Sequence, residues 1–460
     1  RSSAASDVYK RQEQAGYIDN NQAVFATFQL GYKSWAYLDL TARNDWFSTL
    51  ANTDNEKSGF FYPSVGVSAV VSEMFDLSKA YISFLKFRAS YSEVGNPPMR
   101  QITMPTYTVK DGIVNTSSRL LNPDLKPERT KSVEIGMNLR MFQNLLNIDF
   151  TYYNSNTYNQ FINYTMPPST GYSNYMLNGG KVNNWGIEAR LGIDANLGPV
   201  KWNSNLTFTM NRNKVVYLLP GGATNPITGE PISITEIEPF NPQGSYKMIV
   251  KEGGTLSDIY VTGLKIDYLG NIKVDANTGA IEADPNTWIK AGSAAPRFNW
   301  GWNNSFSWKG INLSFLIDAR IGGVGVSATQ AKMDYYGTSK TSAIVRDNGG
   351  VNLNSGRVTA KDYYNVLGNG ATGVLANYVY SMTNVRLREA TLGYTFPTKW
   401  FGNQIQNLTV SLIGKNLFMF HNKAPFDPEL SASTGTYYQG FDYFMQPSVR
   451  SIGFSVKFQY

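Results

Sequence analysis

Apolar and polar residues change places at nearly every step through much of this chain. In 311–321, Ile311, Leu313, Phe315, Ile317, Ala319 and Ile321 fall on one parity, and Asn312, Ser314, Asp318 and Arg320 on the other, with Leu316 the exception. In 298–308, Phe298, Trp300, Trp302, Phe306 and Trp308 oppose Asn299, Gly301, Asn303, Ser305 and Ser307. Successive side chains of a β-strand point to opposite faces, so such segments predict strands with one apolar and one wet side. The same pattern places Val133, Ile135, Met137 and Leu139 against Glu134, Asn138 and Arg140, and Ile187, Ala189, Leu191 and Ile193 against Glu188, Arg190 and Asp194. It recurs with Leu146, Ile148, Phe150 and Tyr152 against Asn147, Asp149 and Thr151, and with Leu85, Phe87, Ala89 and Tyr91 against Lys86, Arg88 and Ser90.

A soluble sandwich would alternate as well; the connections separate it from a barrel in lipid. Outer-membrane barrels join strands by short turns at one end and long loops at the other. Tight links sit near Tyr32–Trp35, Phe142–Asn144, Leu197–Lys201 and Trp308–Gly310. Long irregular stretches rich in Gly, Asn, Pro, Ser and Tyr occupy 97–128, 158–179, 218–295, 324–380 and 421–445. Alternating segments number about thirteen, centred near 28, 39, 67, 88, 136, 150, 189, 207, 302, 316, 390, 411 and 455. The expected fold is therefore all-β, an antiparallel transmembrane β-barrel. Its last strand carries Ile452, Phe454, Val456, Phe458 and Tyr460, with Tyr460 in an aromatic girdle. One segment breaks parity: Val385 and Leu387 alternate out of step with Leu392, Tyr394 and Phe396, which requires an inserted residue near Glu389. Without it, Arg386 and Arg388 would share the lipid face with those later residues, at roughly 2 to 4 kcal/mol each near the midplane.

Composition narrows the remaining classes. At 460 residues, length alone would allow two or three ordinary domains, but a barrel of that size is a single domain. Aromatic residues make up 14% and charged residues 16%, which suits strands and turns better than long charged helices. No cysteine is present, so neither disulfides nor thiolate metal sites contribute, and one histidine excludes multi-histidine zinc sites. The net charge of +7 is spread without a dense basic run, which argues against nucleic acid as a partner. No stretch reaches the roughly 18 apolar residues of a transmembrane helix. Residues 1–12, RSSAASDVYKRQ, share no pattern with the rest of the chain and read as a non-native leader, leaving 13–460 as the barrel portion.

Catalytic signatures are missing: there is no GxSxG, no HExxH and no Walker loop, and His421 lies in a polar loop. We therefore expect no catalytic residue, no cofactor and no metal. Asp275, Asn277 and Gly279 resemble the start of a calcium loop but lack its sixth-position glycine and twelfth-position glutamate, so a turn is expected. Glu134, Glu188, Asp194 and Asp318 are expected to face the lumen and to pair with Arg140, Arg190 and Arg320. Candidate substrate contacts are loop aromatics, which stack on sugar rings or pack on peptides: Tyr437, Tyr438, Phe441, Tyr443, Phe444, Tyr335, Tyr336, Tyr363 and Tyr364. Packing within the loops or against a partner explains the same residues equally well.

Several stretches, in order, resemble one family. They are Ala42–Leu50 (ARNDWFSTL), Phe61–Val67 (FYPSVGV), Leu85–Asn96 (LKFRASYSEVGN), Asn122–Glu128 (NPDLKPE), Gly180–Glu188 (GKVNNWGIE), Thr383–Pro397 (TNVRLREATLGYTFP), Gly414–Phe418 (GKNLF), Lys423–Glu429 (KAPFDPE) and Gln446–Phe458 (QPSVRSIGFSVKF). Together they resemble the large TonB-dependent outer-membrane transporters of Bacteroidetes of the SusC and RagA type. The resemblance implies a 22-stranded barrel with an N-terminal plug, driven by TonB, and a SusD-like surface lipoprotein over its extracellular mouth. It implies import of an oligosaccharide or peptide by a protein resident in the outer membrane. It also implies that the plug domain, the TonB-contacting segment and the first strands are absent from this chain, which would begin partway round the barrel. Two other readings stay open at this level: a passive porin, and a soluble surface carbohydrate-binding β-protein.

Overall fold

The computed structural model describes residues 18–459 except 101, 105–107, 111, 116, 276, 354–355, 370–372, 403–405 and 430–438. Residues 1–12, Tyr437, Tyr438 and Tyr460 thus lie outside the described residues.

Thirteen strands succeed one another in chain order through a single sheet, each antiparallel to the next. They are β1 (Asn21–Tyr32), β2 (Ala36–Phe47), β3 (Phe60–Val70), β4 (Ile82–Asn96), β5 (Glu128–Met141), β6 (Leu146–Thr165) and β7 (Asn174–Leu197). Next come β8 (Val200–Tyr217), β9 (Phe298–Trp308), β10 (Ile311–Ile321), β11 (Asn384–Thr395), β12 (Gln406–Asn422) and β13 (Ser451–Gln459). Every centre expected from the alternation falls inside one of them. Among the described residues β1 pairs only with β2 and β13 only with β12, so the sheet they form ends in two open edges and is not closed into a barrel. No helix among the described residues is long and apolar enough to cross a membrane, which says nothing of crossing by strands.

Apolar parity defines the outer face. Val67, Ile135, Leu313 and Leu412, on strands paired on both sides, are 36% exposed or more and pack under no other layer among the described residues. Leu412, at 57%, and Ile311, at 40%, both on strands paired on each side, are far from the dry interior that a sandwich would give them. Tight turns close one end of the meander. Lys33 and Ser34 (φ 45° and 58°) turn β1 into β2 within a three-residue link, and Lys309 and Gly310 (φ 47° and 91°) turn β9 into β10 in a two-residue one, both with the positive φ that suits tight hairpins. Gly310 has a second reason to be glycine, since a Cβ there would lie 2.7 Å from the Thr395 carbonyl oxygen. Aromatic rings collect beside these turns: Tyr32 on Trp35, Tyr81 near Phe142, and Phe396 with Tyr394 and Trp400. That is the expected girdle at one interface.

The long connections lie at the opposite end, and two expectations about them need correction. First, 158–179 is not a loop: β6 and β7 continue as paired strands from Tyr158 opposite Lys181 to Thr165 opposite Asn174. The hairpin outruns the 9 to 11 residues that cross a bilayer, and beyond that length no lipid enforces an apolar face. Second, 218–295 and 324–380 are not structureless. The first holds a four-stranded sheet, Glu236–Gln243, Tyr246–Lys251, Asp258–Leu264 and Ala283–Ser293. The second holds three helices, Ala328–Tyr335, Lys340–Asp347 and Ala360–Leu367, whose caps Ser327, Ser339 and Thr359 each accept a backbone N–H in the first turn. Tyr246, Met248, Ile259 and Val261 of that sheet pack with Ala331, Tyr364 and Leu367 of the helices and with Phe441 of the last loop. Three loops therefore share one apolar core at the rim. Each fully buried large side chain contributes about 1.5 to 3 kcal/mol to it.

Candidate functional site

The inserted residue required by the broken parity of β11 is Arg388. Leu316 of β10 faces Glu389 and Ile317 faces Leu387, so Arg388 is the extra residue on that side. On the other side Leu387 faces Phe418 and Glu389 faces Lys415, and Asn416 takes a left-handed backbone (φ 51°) beside the bulge. The insertion keeps Val385, Leu387, Ala390, Leu392 and Tyr394 on the outer face and turns both arginines inward.

A compact network of charge results. Arg388 Nη2 lies 2.5 Å from Asp318 Oδ2 and 2.5 Å from Glu429 Oε1, and its Nη1 donates to Asn416 Oδ1 at 3.3 Å. Arg386 is 2% exposed and donates through Nη2 to Asp427 Oδ1 at 2.9 Å, with Nη1 3.5 Å from Glu429 Oε2. Asp427 also accepts from the Ser448 amide at 3.1 Å and from its hydroxyl. Asn416 returns a bond to the Val449 carbonyl at 3.0 Å. Segments 423–429 and 448–450 are thereby strapped to the inner wall of β10, β11 and β12. Burial alone would raise the Asp427 carboxyl, but hydrogen bonds from Arg386 and Ser448 outweigh it and hold the group at about 2.

The expected pairings of wall charges are corrected. Among the described residues no ion pair joins Arg140, Arg190 or Arg320 to a carboxylate. Asp318 goes to Arg388 instead, Arg140 sits over the Phe84 ring at 5.2 Å, and Arg190 donates to Asn205 Oδ1 at 2.6 Å. Arg320 donates to the Ala294 carbonyl at 2.5 Å, and Asp194 accepts from Asn203 and Asn147. Glu188 and Arg190, two residues apart on β7 and facing Thr151 and Asp149 of β6, share one parity. Register decides these partners, because neighbours across strands are closer than same-face neighbours along one strand.

Two cavities border the network. One, about 590 Å³, lies between β12 and the last loop and is lined by Ser327, Met333, Arg386, Asp427, Asp442 and Arg450 among others. It occupies the stretch where β12 runs past Lys415 while β13 begins only opposite that residue. Another, about 480 Å³, lies against the inner wall and includes Thr207, Thr209, Asn299, Asp318, Arg320 and Glu429. Asp318 Oδ1 and Arg320 Nε are both buried there without a protein partner. Such groups are costly unless something else satisfies them.

The candidate aromatics divide. Tyr364 and Phe441, each 6% exposed, belong to the apolar core of the loops and cannot meet a ligand, which corrects their assignment. Tyr363 packs against that core, edge-on to Tyr364, and burial raises its hydroxyl pKa. Tyr335 is half-buried and T-shaped on the exposed Tyr336. Tyr443 and Phe444 are 49% and 60% exposed at the rim, T-shaped at 5.1 Å, and the Phe444 amide donates to Thr329 Oγ1 at 2.6 Å. Asp275 Oδ1 accepts the amides of Asn277 and Thr278, so the calcium-like stretch is the expected turn. Sequence reasoning did not single out Asp427, Glu429 and Ser448 as wall contacts; the stretches that hold them, KAPFDPE and QPSVRSIGFSVKF, stood out only as family resemblance.

Comparison with known proteins places this geometry. Residues 2–237 match the family model described as TonB dependent receptor-like, beta-barrel. The chain belongs to the TonB-dependent receptor family. TonB-dependent receptor P3 of Formosa agariphila is 24% identical over 96% of this chain and 46% of its own length. TonB-dependent receptor P26 of the same organism is 26% identical over 94% of this chain and 46% of its own. The chain thus spans about half the length of the curated relatives it matches. Among solved structures, the RagAB peptide importer in its open-open state superimposes with a TM-score of 0.72 at 18% identity, covering 95% of this chain and 47% of that one. Its closed-closed state gives 0.70 at 19% identity. The barrel expected from the alternation is therefore shown, of the TonB-dependent kind found in the outer membranes of Gram-negative bacteria.

Proposed function

We propose that this chain is the C-terminal barrel portion of a transporter that imports an oligosaccharide or peptide across the outer membrane of a Bacteroidetes-like bacterium. The observation that carries the reading is the inner wall. It gathers Thr207, Thr209, Asn299, Asp318, Arg320 and Glu429 on one polar cavity of about 480 Å³ beneath a folded rim. Hydroxyl, amide and charged groups converging on one cavity suit a hydrogen-bonding solute. Tyr336, Tyr443 and Phe444 supply exposed aromatic surface at the entrance. Family membership supports energy input through TonB, contacted by parts of the protein outside this chain. The RagAB likeness supports a SusD-like lipoprotein seated on the rim.

Uptake of labelled oligosaccharides and peptides in cells lacking the gene, with and without the restored complete receptor, tests this. Loss of uptake of one class, restored by the gene and abolished by a protonophore, is expected. Unchanged uptake of both classes would overturn it, and uptake indifferent to the protonophore would favour a passive pore.

A further inference from the structure

On the outer face, near the turn between β1 and β2, the apolar wall is interrupted by a pit of about 570 Å³. Register shows how it arises. One row across the strands reads Tyr32, Ala36, Ala69, Phe87; the next row reads Leu30, Leu38, Val67, Ala89, Ile135. Three alanines stand where the surrounding positions carry large side chains, and they run diagonally across three strands. Rows of one face are about 7 Å apart along a strand and neighbouring strands about 5 Å apart, so the alanines form a continuous trough rather than separate dents. Tyr32, Phe87 and Ile135, which are 53%, 46% and 53% exposed, form its walls, and nothing else among the described residues covers it.

We propose that this pit holds one acyl chain of an anionic phospholipid from the periplasmic leaflet. The proposal rests on the barrel lying in the membrane. Inside a bilayer the hydrophobic effect does not distinguish the pit from its surroundings, because lipid tails are as apolar as leucine. Selection must come from shape and from the headgroup. Shape favours a flexible chain, since an unfilled trough forfeits van der Waals partners along its whole lining. The headgroup preference comes from Lys33, the one charged residue of the Tyr32–Trp35 turn. Its ammonium lies 5.2 Å from the centroid of the Tyr32 ring that walls the pit. Tyr32 is in turn held edge-on by Trp35 at 5.6 Å, fixing ring and cation at the level where headgroups begin. A phosphate beside Lys33 places its acyl chains directly over the alanines.

Native mass spectrometry of the complete receptor, extracted in mild detergent and exchanged against vesicles of phosphatidylglycerol or phosphatidylethanolamine, tests this. The unaltered receptor should retain one phospholipid, with a preference for phosphatidylglycerol of roughly fivefold from a single lysine at the surface. Ala69→Leu with Ala89→Leu fills the trough and should abolish retention. Lys33→Gln should keep a bound lipid and lose the preference. Equal retention after the double substitution, no headgroup preference in the unaltered receptor, retention of lipopolysaccharide instead, or a second receptor copy in place of lipid each overturns the proposal. Heat-modifiable gel mobility is read alongside. A receptor that never inserts into vesicles or shows no folded band refutes the barrel reading itself, whereas a folded, inserted receptor without lipid refutes only the pit.

Discussion

Replacing Arg386 by leucine should release the strap without unfolding the barrel. The side chains of Arg386 and Asp427 are 3% and 9% exposed, so the pair is taken out of water, and removing one partner of a buried pair costs about 3 to 5 kcal/mol. Asp427 keeps the amide and hydroxyl of Ser448, which argues for the lower end, about 3 kcal/mol. At 1.4 kcal/mol per tenfold, local opening becomes roughly a hundredfold more frequent. Hydrogen exchange in the complete receptor reads this directly. The amides of Ser448 and Glu429, both bonded to Asp427, should exchange about a hundredfold faster, while amides of β5 to β8 keep their protection. A double-mutant cycle sharpens the test: Asp427→Asn added to Arg386→Leu should cost little more, because the carboxylate left behind is the expensive species. Exchange at Ser448 within threefold of the unaltered receptor, or a full additive cost for the second substitution, would refute the account of the strap.

Deleting Arg388 should be far worse than replacing it. Without the extra residue, either Arg386 or Glu389 and its neighbours turn toward lipid at roughly 2 to 4 kcal/mol per charge near the midplane, so the deletion should lose the folded gel band while Arg388→Ala keeps it. The depressed carboxyl of Asp427 adds an acid dependence: its folded pKa of about 2 lies below the ordinary 3.8, so its stabilisation is complete above about pH 4 and fades as pH falls toward 2. That stabilisation is about 2 kcal/mol and should be missing in Asp427→Asn, measured as proteolysis of the 423–450 segment against pH.

The barrel was legible in the sequence because lipid on one side and a wet lumen on the other impose a period of two wherever a strand crosses the bilayer. Where that asymmetry ends, so does the signal. Asn154, Ser155, Asn156, Thr157 and Asn159 continue β6 with polar residues on both faces, which is why the upper hairpin reads as a loop. Tyr246–Lys251 and Asp258–Leu264 are short apolar runs buried on both sides, the other recognised form of a strand, and they fall in segments that turn residues dominate. Parity also demanded an insertion near Glu389 without saying which side chain it would free. The partner of Asp318 was beyond reach for the same reason: it depends on the register of β10 against β11, a property of two strands that neither contains alone.

The strap has a consequence for the rim. Phe441 belongs to the same short stretch as Tyr443 and Phe444, yet it is buried against Tyr246 with ring centroids 4.6 Å apart, while the two aromatics just after it stay exposed. Their position is therefore set from two sides. The shared core of the loops holds Phe441, and the wall holds Ser448 and Val449 through Asp427 and Asn416. Between these anchors only a few residues are free to move, so the exposed pair cannot swing independently of either. Loop sequence around 443–447 can then vary in chemistry without losing its place. By the same reasoning, a change of ligand preference should map to the side chains between the anchors, and a loss of rim order to the anchors themselves.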